Sequence, residues 1–199
     1  MIDKTSCWYN IDAKICLEKM GAGLRGPYKK TSEFLLSRMV VGEKTVVELG
    51  CGSGRAIMLF EGYEYTGVDL SVSIETIGKI ANPNLNFIKR DIIEDDIFFI
   101  SEYEVVYMDA FIDVMQYPLT VLNKILQNSS KYIVLIRQEI IDDDTIVVKN
   151  PSYNGFTYHS KIGKYDFSKV LAENRFIVVE DVDACVGIDG WRSFLLCKR

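Results

Sequence analysis

Three glycines alternate with other residues in Val46-Val47-Glu48-Leu49-Gly50-Cys51-Gly52-Ser53-Gly54-Arg55. Glycine lacks a Cβ and accepts backbone angles that other residues resist, so such a loop lets main chain come close to a ligand. A helix opening after the loop would add N–H groups suited to a carboxylate or phosphate. The third glycine comes one residue too early for the GxGxxG of dinucleotide sites. Three more acids recur downstream. Asp69 ends Tyr65-Thr66-Gly67-Val68, Asp91 follows Asn86-Phe87-Ile88-Lys89-Arg90, and Asp109 ends Glu104–Met108. A carboxylate in the first of these places can accept hydrogen bonds from both hydroxyls of a ribose.

These acids need strands to carry them. Thr45–Leu49, Tyr65–Val68, Leu85–Lys89, Glu104–Met108 and Tyr132–Ile136 are short apolar runs with the composition of buried strands. Helical patterns alternate with them: Gly54–Phe60, Ser71 to about Ala81 with Ser71 as cap, Leu119–Leu126 and Asp166–Glu173. Strands alternating with helices predict an α/β fold with a doubly wound, mostly parallel sheet. Phe176–Asp181 and Ser193–Cys197 complete seven strands. No helix-length segment separates these two, so they are expected to pair antiparallel at the sheet's edge. Glu48, Asp69, Asp91 and Asp109 then all fall at the carboxyl ends of strands, the edge where open α/β sheets bind ligands. Residues 1–40 carry two amphipathic segments, near Ile11–Met20 and Lys29–Met39, joined by Gly21-Ala22-Gly23-Leu24-Arg25-Gly26-Pro27-Tyr28. The expected organisation is an N-terminal helical cap over 1–40 and one compact domain over 41–199.

The ExGxGxG run ending at Gly54, followed by Asp69, Asp91 and Asp109, resembles motif I and its companion acids in the class I methyltransferases. The resemblance covers about residues 44 to 199. It implies a Rossmann-like fold that binds S-adenosylmethionine and passes its methyl group to an acceptor. By resemblance Glu48, Gly50, Cys51, Gly52 and Gly54 cradle the methionine part, Asp69 and Leu70 hold ribose, and Asp91 and Ile92 face adenine. Asp109 and Ala110 would line the methyl-transfer cleft, with Arg25 and Tyr28 reaching the cofactor carboxylate from the cap. Holding nucleophile, methyl carbon and sulfur in line supplies much of the rate. A polar acceptor also needs its proton removed; the candidates are Asp109, Tyr158 and His159, the only histidine. Tyr153, Trp8 and Tyr9 are further aromatic candidates for the acceptor side.

The remaining features bound the function. The 199 residues make one domain with a modest appendage, long enough to bury roughly 70% of the unfolded surface. A net charge of −5 disfavours binding to DNA, whose phosphates are gripped by Lys and Arg. The five cysteines form no CxxC pair, which predicts reduced thiols rather than disulfides or a zinc site. No apolar stretch suits a leader or a membrane span, so a cytoplasmic location is expected. Asn150-Pro151-Ser152-Tyr153 mimics a loop of amino-methyltransferases but follows the fifth strand, not the fourth. Asp142-Asp143-Asp144 reads as a solvated turn, and no metal is expected. The leading expectation is O- or N-methylation of a small molecule. Methylation of protein or RNA, and a non-catalytic S-adenosylmethionine-binding module, are the alternatives.

Overall fold

A computed structural model describes residues 3–10, 12, 26–40, 42, 44–152, 155–183 and 190–199. The run Thr45–Leu49 forms β1, and Val46 to Leu49 are all buried. A strand covered on both faces reads as continuous apolar sequence, the signature of a parallel sheet. β2 (Glu64–Asp69) and β4 (Val105–Asp109) flank β1 in parallel register. β3 (Asn86–Lys89) lies beyond β2, and β5 (Tyr132–Ile141) lies beyond β4. The sheet is therefore ordered β3-β2-β1-β4-β5 across its parallel part, with the carboxyl ends on one edge.

Two strands exceed the seven expected. The chain leaves β5 through Asp142–Asp144 into an antiparallel hairpin, β6 (Ile146–Ser152) and β7 (Gly155–Gly163). β7 pairs in parallel with the last three residues of β5. β8 (Phe176–Asp183) and β9 (Trp191–Lys198) pair antiparallel as expected, with β9 also antiparallel to β5. Among the described residues the sheet thus has nine strands and remains a mostly parallel Rossmann-like sheet with an antiparallel flank.

Two helical layers cover it. On one face Leu35 from α1 (Gly26–Ser37) packs with Val46, Tyr65, Val105, Tyr107 and Val134. The helical run 71–81, α2, has its middle turn Ile74–Gly78 wound as a π-helix. On the other face α3 (Pro118–Asn128) and α4 (Lys164–Glu173) bury Leu122, Ile125, Phe167 and Leu171 against Val47, Leu49, Val106 and Met108. Pro118 opens α3 at a position where its missing N–H is not needed.

The helix expected over Gly54–Phe60 is a five-residue 3-10 turn, Arg55–Leu59. Tyr63 N–H closes a turn on the Phe60 carbonyl at 2.9 Å, which takes the chain directly into β2. The expected helix N-terminus behind the glycine loop is replaced by this turn, so its dipole adds little there. The segment near Ile11–Met20, apart from Asp12, and Arg25 lie outside the described residues. No helix among the described residues is long and apolar enough to cross a membrane.

Candidate active site

The carboxyl ends of β1 to β5 open on one cavity of about 490 Å³. Glu48, Gly50, Gly52, Asp69, Leu70, Asp91, Ile92, Asp109, Ala110 and Tyr28 all line it. Residues read from five separate stretches of sequence therefore meet around one volume. Cys51 and Gly54 support the loop from behind. Cys51 is buried, and a Cβ added to Gly67 would lie 2.8 Å from its sulfur. A Cβ on Gly54, whose φ is +73°, would lie 2.6 Å from Leu85.

Strand alternation aims Glu48. Val47 and Leu49 join the core beneath α3 and α4, so Val46 and Glu48 face the opposite layer. Glu48 is 4% exposed and accepts a hydrogen bond from the Tyr65 hydroxyl. Burial pushes its carboxyl up to about 8, the Tyr65 hydrogen bond opposing and the charges of Asp109 and Asp69 adding to the shift.

Asp69 is locked by the backbone. Its Oδ2 accepts from Gly52 N–H and its Oδ1 from Leu70 N–H, both at 2.7 Å. Burial raises its carboxyl above the ordinary range, against the pull of these donors. The Gly52 contact requires the loop's left-handed turn, with φ of +51° at Gly52. Asp91 accepts Ile93 N–H at 3.0 Å on one oxygen and the Tyr9 hydroxyl at 2.8 Å on the other.

Asp109 meets a cation that breaks the strand pattern. Val134 and Ile136 pack on one face of β5, Ile133 and Leu135 on the other. Continued alternation would send Arg137 under α3 and α4. Instead the register between β5 and β9 shifts between Leu135 and Gln138, and Arg137 adopts φ of +62°. Its N–H donates to Ser193 Oγ at 3.2 Å, and its Nε donates to Asp109 Oδ1 at 2.6 Å. The guanidinium lies 4.6 Å from the Tyr28 ring centroid. Arg55 Nη2 approaches the other Asp109 oxygen at 3.9 Å. Ala110, next to Asp109, also has positive φ, +51°. Such left-handed non-glycine residues cost about 1–3 kcal/mol each and cluster at functional sites.

The walls over this edge come from the chain's N-terminal segment and the hairpin. The turn Cys7–Asn10 spans the opening: Tyr9 holds Asp91, and Trp8 Nε1 donates to Thr157 Oγ1 at 2.8 Å. Tyr158 donates to Asp3 at 3.1 Å and lines the cavity. Its phenol is raised by desolvation and by Asp3, so it stays neutral at physiological pH. His159 does not line the cavity, a correction to its expected position over the acceptor. It pairs instead with Glu139, Nε2 to Oε2 3.0 Å, and packs on Trp191. Tyr153 lies outside the described residues. Among the described residues no cluster of His, Cys, Asp and Glu is arranged to hold a metal.

A family model, described as methionine biosynthesis protein MetW, matches residues 31–138. The chain belongs to the MetW family. No curated protein matches the chain in sequence. Its fold is that of the class I S-adenosylmethionine-dependent methyltransferases. Magnesium protoporphyrin IX methyltransferase from Synechocystis PCC 6803, solved with bound S-adenosylmethionine, superposes with a TM-score of 0.68 at 13% identity, over 100% of this chain and 99% of that one. The 1,6-didemethyltoxoflavin-N1-methyltransferase of Burkholderia thailandensis gives 0.63 at 14% identity, over 96% and 84%. A methyltransferase from Clostridium acetobutylicum ATCC 824 gives 0.62 at 14%, over 96% and 98%.

The MetW match runs from within α1 to the bulge of β5, and so takes in the glycine loop and all four strand-end acids. The cavity walls Asp3, Trp8, Tyr9, Thr157 and Tyr158 fall outside it. Arg137 is the site residue that sequence reasoning missed. Its one signal is a charge directly after the five strand residues Tyr132–Ile136. The Tyr9–Asp91 contact had no signal at all, because its partners are far apart in sequence.

Proposed function

We propose that the chain is a methyltransferase that uses S-adenosylmethionine to methylate a small molecule on oxygen or nitrogen. The carrying observation is the single cavity in which the glycine loop and the acids of β1 to β4 meet. Its donor set suits the cofactor. Asp3, Asp69, Asp91 and Asp109 line it beside the protonated carboxyl of Glu48, against three arginines, and the cofactor carries a sulfonium and an ammonium. Asp69 offers both oxygens to a ribose while its other lone pairs stay on Gly52 and Leu70 N–H. Asp91 and Ile92 lie one strand further, where adenine would follow.

Bound there, the cofactor supplies a methyl group already activated by its sulfonium. The protein's part is then orientation and exclusion of water. Asp69 and the glycine loop would fix the donor. The Cys7–Asn10 turn and the β6–β7 hairpin would cover it, and we assign residues 1–40 to a cap over the 41–199 unit on that basis. Asp109 faces guanidinium groups on both oxygens, which fits a positioning role better than that of a base. The roof also favours a small acceptor: the cavity lies within the roughly 300–1,000 Å³ of ordinary small-molecule sites. The neighbouring methyltransferases named for a porphyrin and a toxoflavin precursor are consistent with this size class.

The test is to incubate the protein with methyl-labelled cofactor and a cell extract, then fractionate by size. Label in the low-mass fraction is expected. Label confined to protein or RNA would overturn the small-acceptor reading, and cofactor binding without any transfer would leave a binding module only.

A further inference from the structure

Arg137 is poised to do more than hold Asp109. Its Nε is tied to Asp109, and Tyr28 lies against its plane. No hydrogen bond to a described residue engages either of its Nη atoms, and the side chain is 20% exposed while lining the cavity. Arginine carries five N–H donors in a planar fork, four of them on the two Nη atoms. With Nε on Asp109, these four are the donors left to a residue that lines the cavity. Of the nearby acids, Asp109 also meets Arg55, Asp3 is held by Thr5, Lys149 and Tyr158, and the buried Asp113 acts on the guanidinium through charge without a hydrogen bond to it. The strained backbone and the bulge serve to bring this one guanidinium across to the Asp109 side of the sheet.

Strand order decides what the fork would hold. On the methyltransferase reading, adenine, ribose and methionine lie over β3, β2 and β1, and the methyl group points to Asp109 on β4. Arg137 stands one strand further, on β5, beyond the cofactor. We propose that Arg137 grips a carboxylate of the methyl acceptor, which is a small carboxylic acid seated among Trp8, Tyr28, Phe111 and Tyr158. A planar fork matches a carboxylate with two parallel hydrogen bonds, geometry that a lysine does not reproduce. This rests on the proposed function, and the test separates the two.

Calorimetry on protein saturated with S-adenosylhomocysteine reads it, with benzoate, benzamide and benzylamine as probes at fixed ionic strength. Benzoate should bind at least tenfold more tightly than either neutral or cationic analogue. Arg137→Gln should remove that preference, and Arg137→Lys should keep only part of it. The comparison of probes on the wild-type protein holds even if a variant fails to fold. Benzamide or benzylamine binding as well as benzoate, no benzoate binding, or unchanged benzoate binding to a folded Arg137→Gln variant would overturn the proposal. A second arm compares S-adenosylhomocysteine with its decarboxylated analogue. Arg137→Gln should bind both within threefold of wild type. A loss of tenfold or more with the first and none with the second would assign the carboxylate to the cofactor instead, and the proposal would fall. If S-adenosylhomocysteine does not bind wild type at all, the methyltransferase reading falls first, and the acceptor assignment with it.

Discussion

Asp69 shows how much one carboxylate can do when backbone holds it. Both oxygens already accept an N–H, from Gly52 and Leu70, so its orientation is set before any ligand arrives. Removing charge-assisted bonds to the ribose costs about 1.5–3 kcal/mol. At 1.4 kcal/mol per decade, Asp69→Ala should bind S-adenosylhomocysteine roughly 10- to 150-fold more weakly by calorimetry. Asp69→Asn should fare little better, because its NH₂ would face one of those two backbone donors. A 2′-deoxyribose analogue should be penalised in wild type and hardly further in the alanine variant. Glu48 gives a second test, on stability. Its folded carboxyl titrates near 8, against about 4.3 in the unfolded chain. Between those values the folded state holds a proton that the unfolded state has lost. The contribution of Glu48 to stability is therefore fullest below about pH 4.3 and is lost as pH rises towards 8. Glu48→Gln should flatten that decline and melt about 2–8 °C above wild type at pH 8, the shift of 1–2 kcal/mol in a chain of this size. Equal slopes in the two proteins would mean that Glu48 is ionised in the folded state.

At the scale of elements, legibility followed burial. β1, β2 and β4 are buried runs, and their sequences read as strands within a residue or two. The acids that end them were legible for the same reason. β6 was not legible: nearly every residue from Ile146 to Ser152 is exposed, Pro151 lies within it, and no alternation marks a core-facing side. Proline is tolerated there because β6 is an edge strand. The bulge that re-aims Arg137 was equally hidden, since it depends on pairing with β9. The N-terminal turn is held chiefly by polar contacts, Tyr9 to Asp91, Trp8 to Thr157 and Asp3 to Tyr158. Cys7 is buried in this turn, but among the described residues neither core cluster contains one before Leu35. Removing residues 1–10 should therefore leave the domain folded, with a melting temperature within about 4 °C. It should weaken S-adenosylhomocysteine binding by about tenfold through loss of the cover. Tighter binding after the deletion would show that Tyr9 competes for Asp91 rather than closing over the cofactor.

Across the whole molecule, the sheet edge divides into two regions. The stretch from 31 to 138 carries the MetW match, the glycine loop and the strand-end acids. The N-terminal turn and the hairpin, outside that match, roof the cavity, the turn reaching from Asp91 to Thr157. Of the residues proposed for the acceptor, Phe111 and Arg137 lie within the match, while Trp8, Tyr28 and Tyr158 lie outside it. On the proposed function the β1–β4 edge takes S-adenosylmethionine and not a dinucleotide. Its most direct test is a calorimetric titration of the wild-type protein with S-adenosylhomocysteine and, separately, with NAD. Saturable one-to-one binding of S-adenosylhomocysteine and no heat from NAD are expected; binding of NAD with no response to S-adenosylhomocysteine would contradict the methyltransferase assignment.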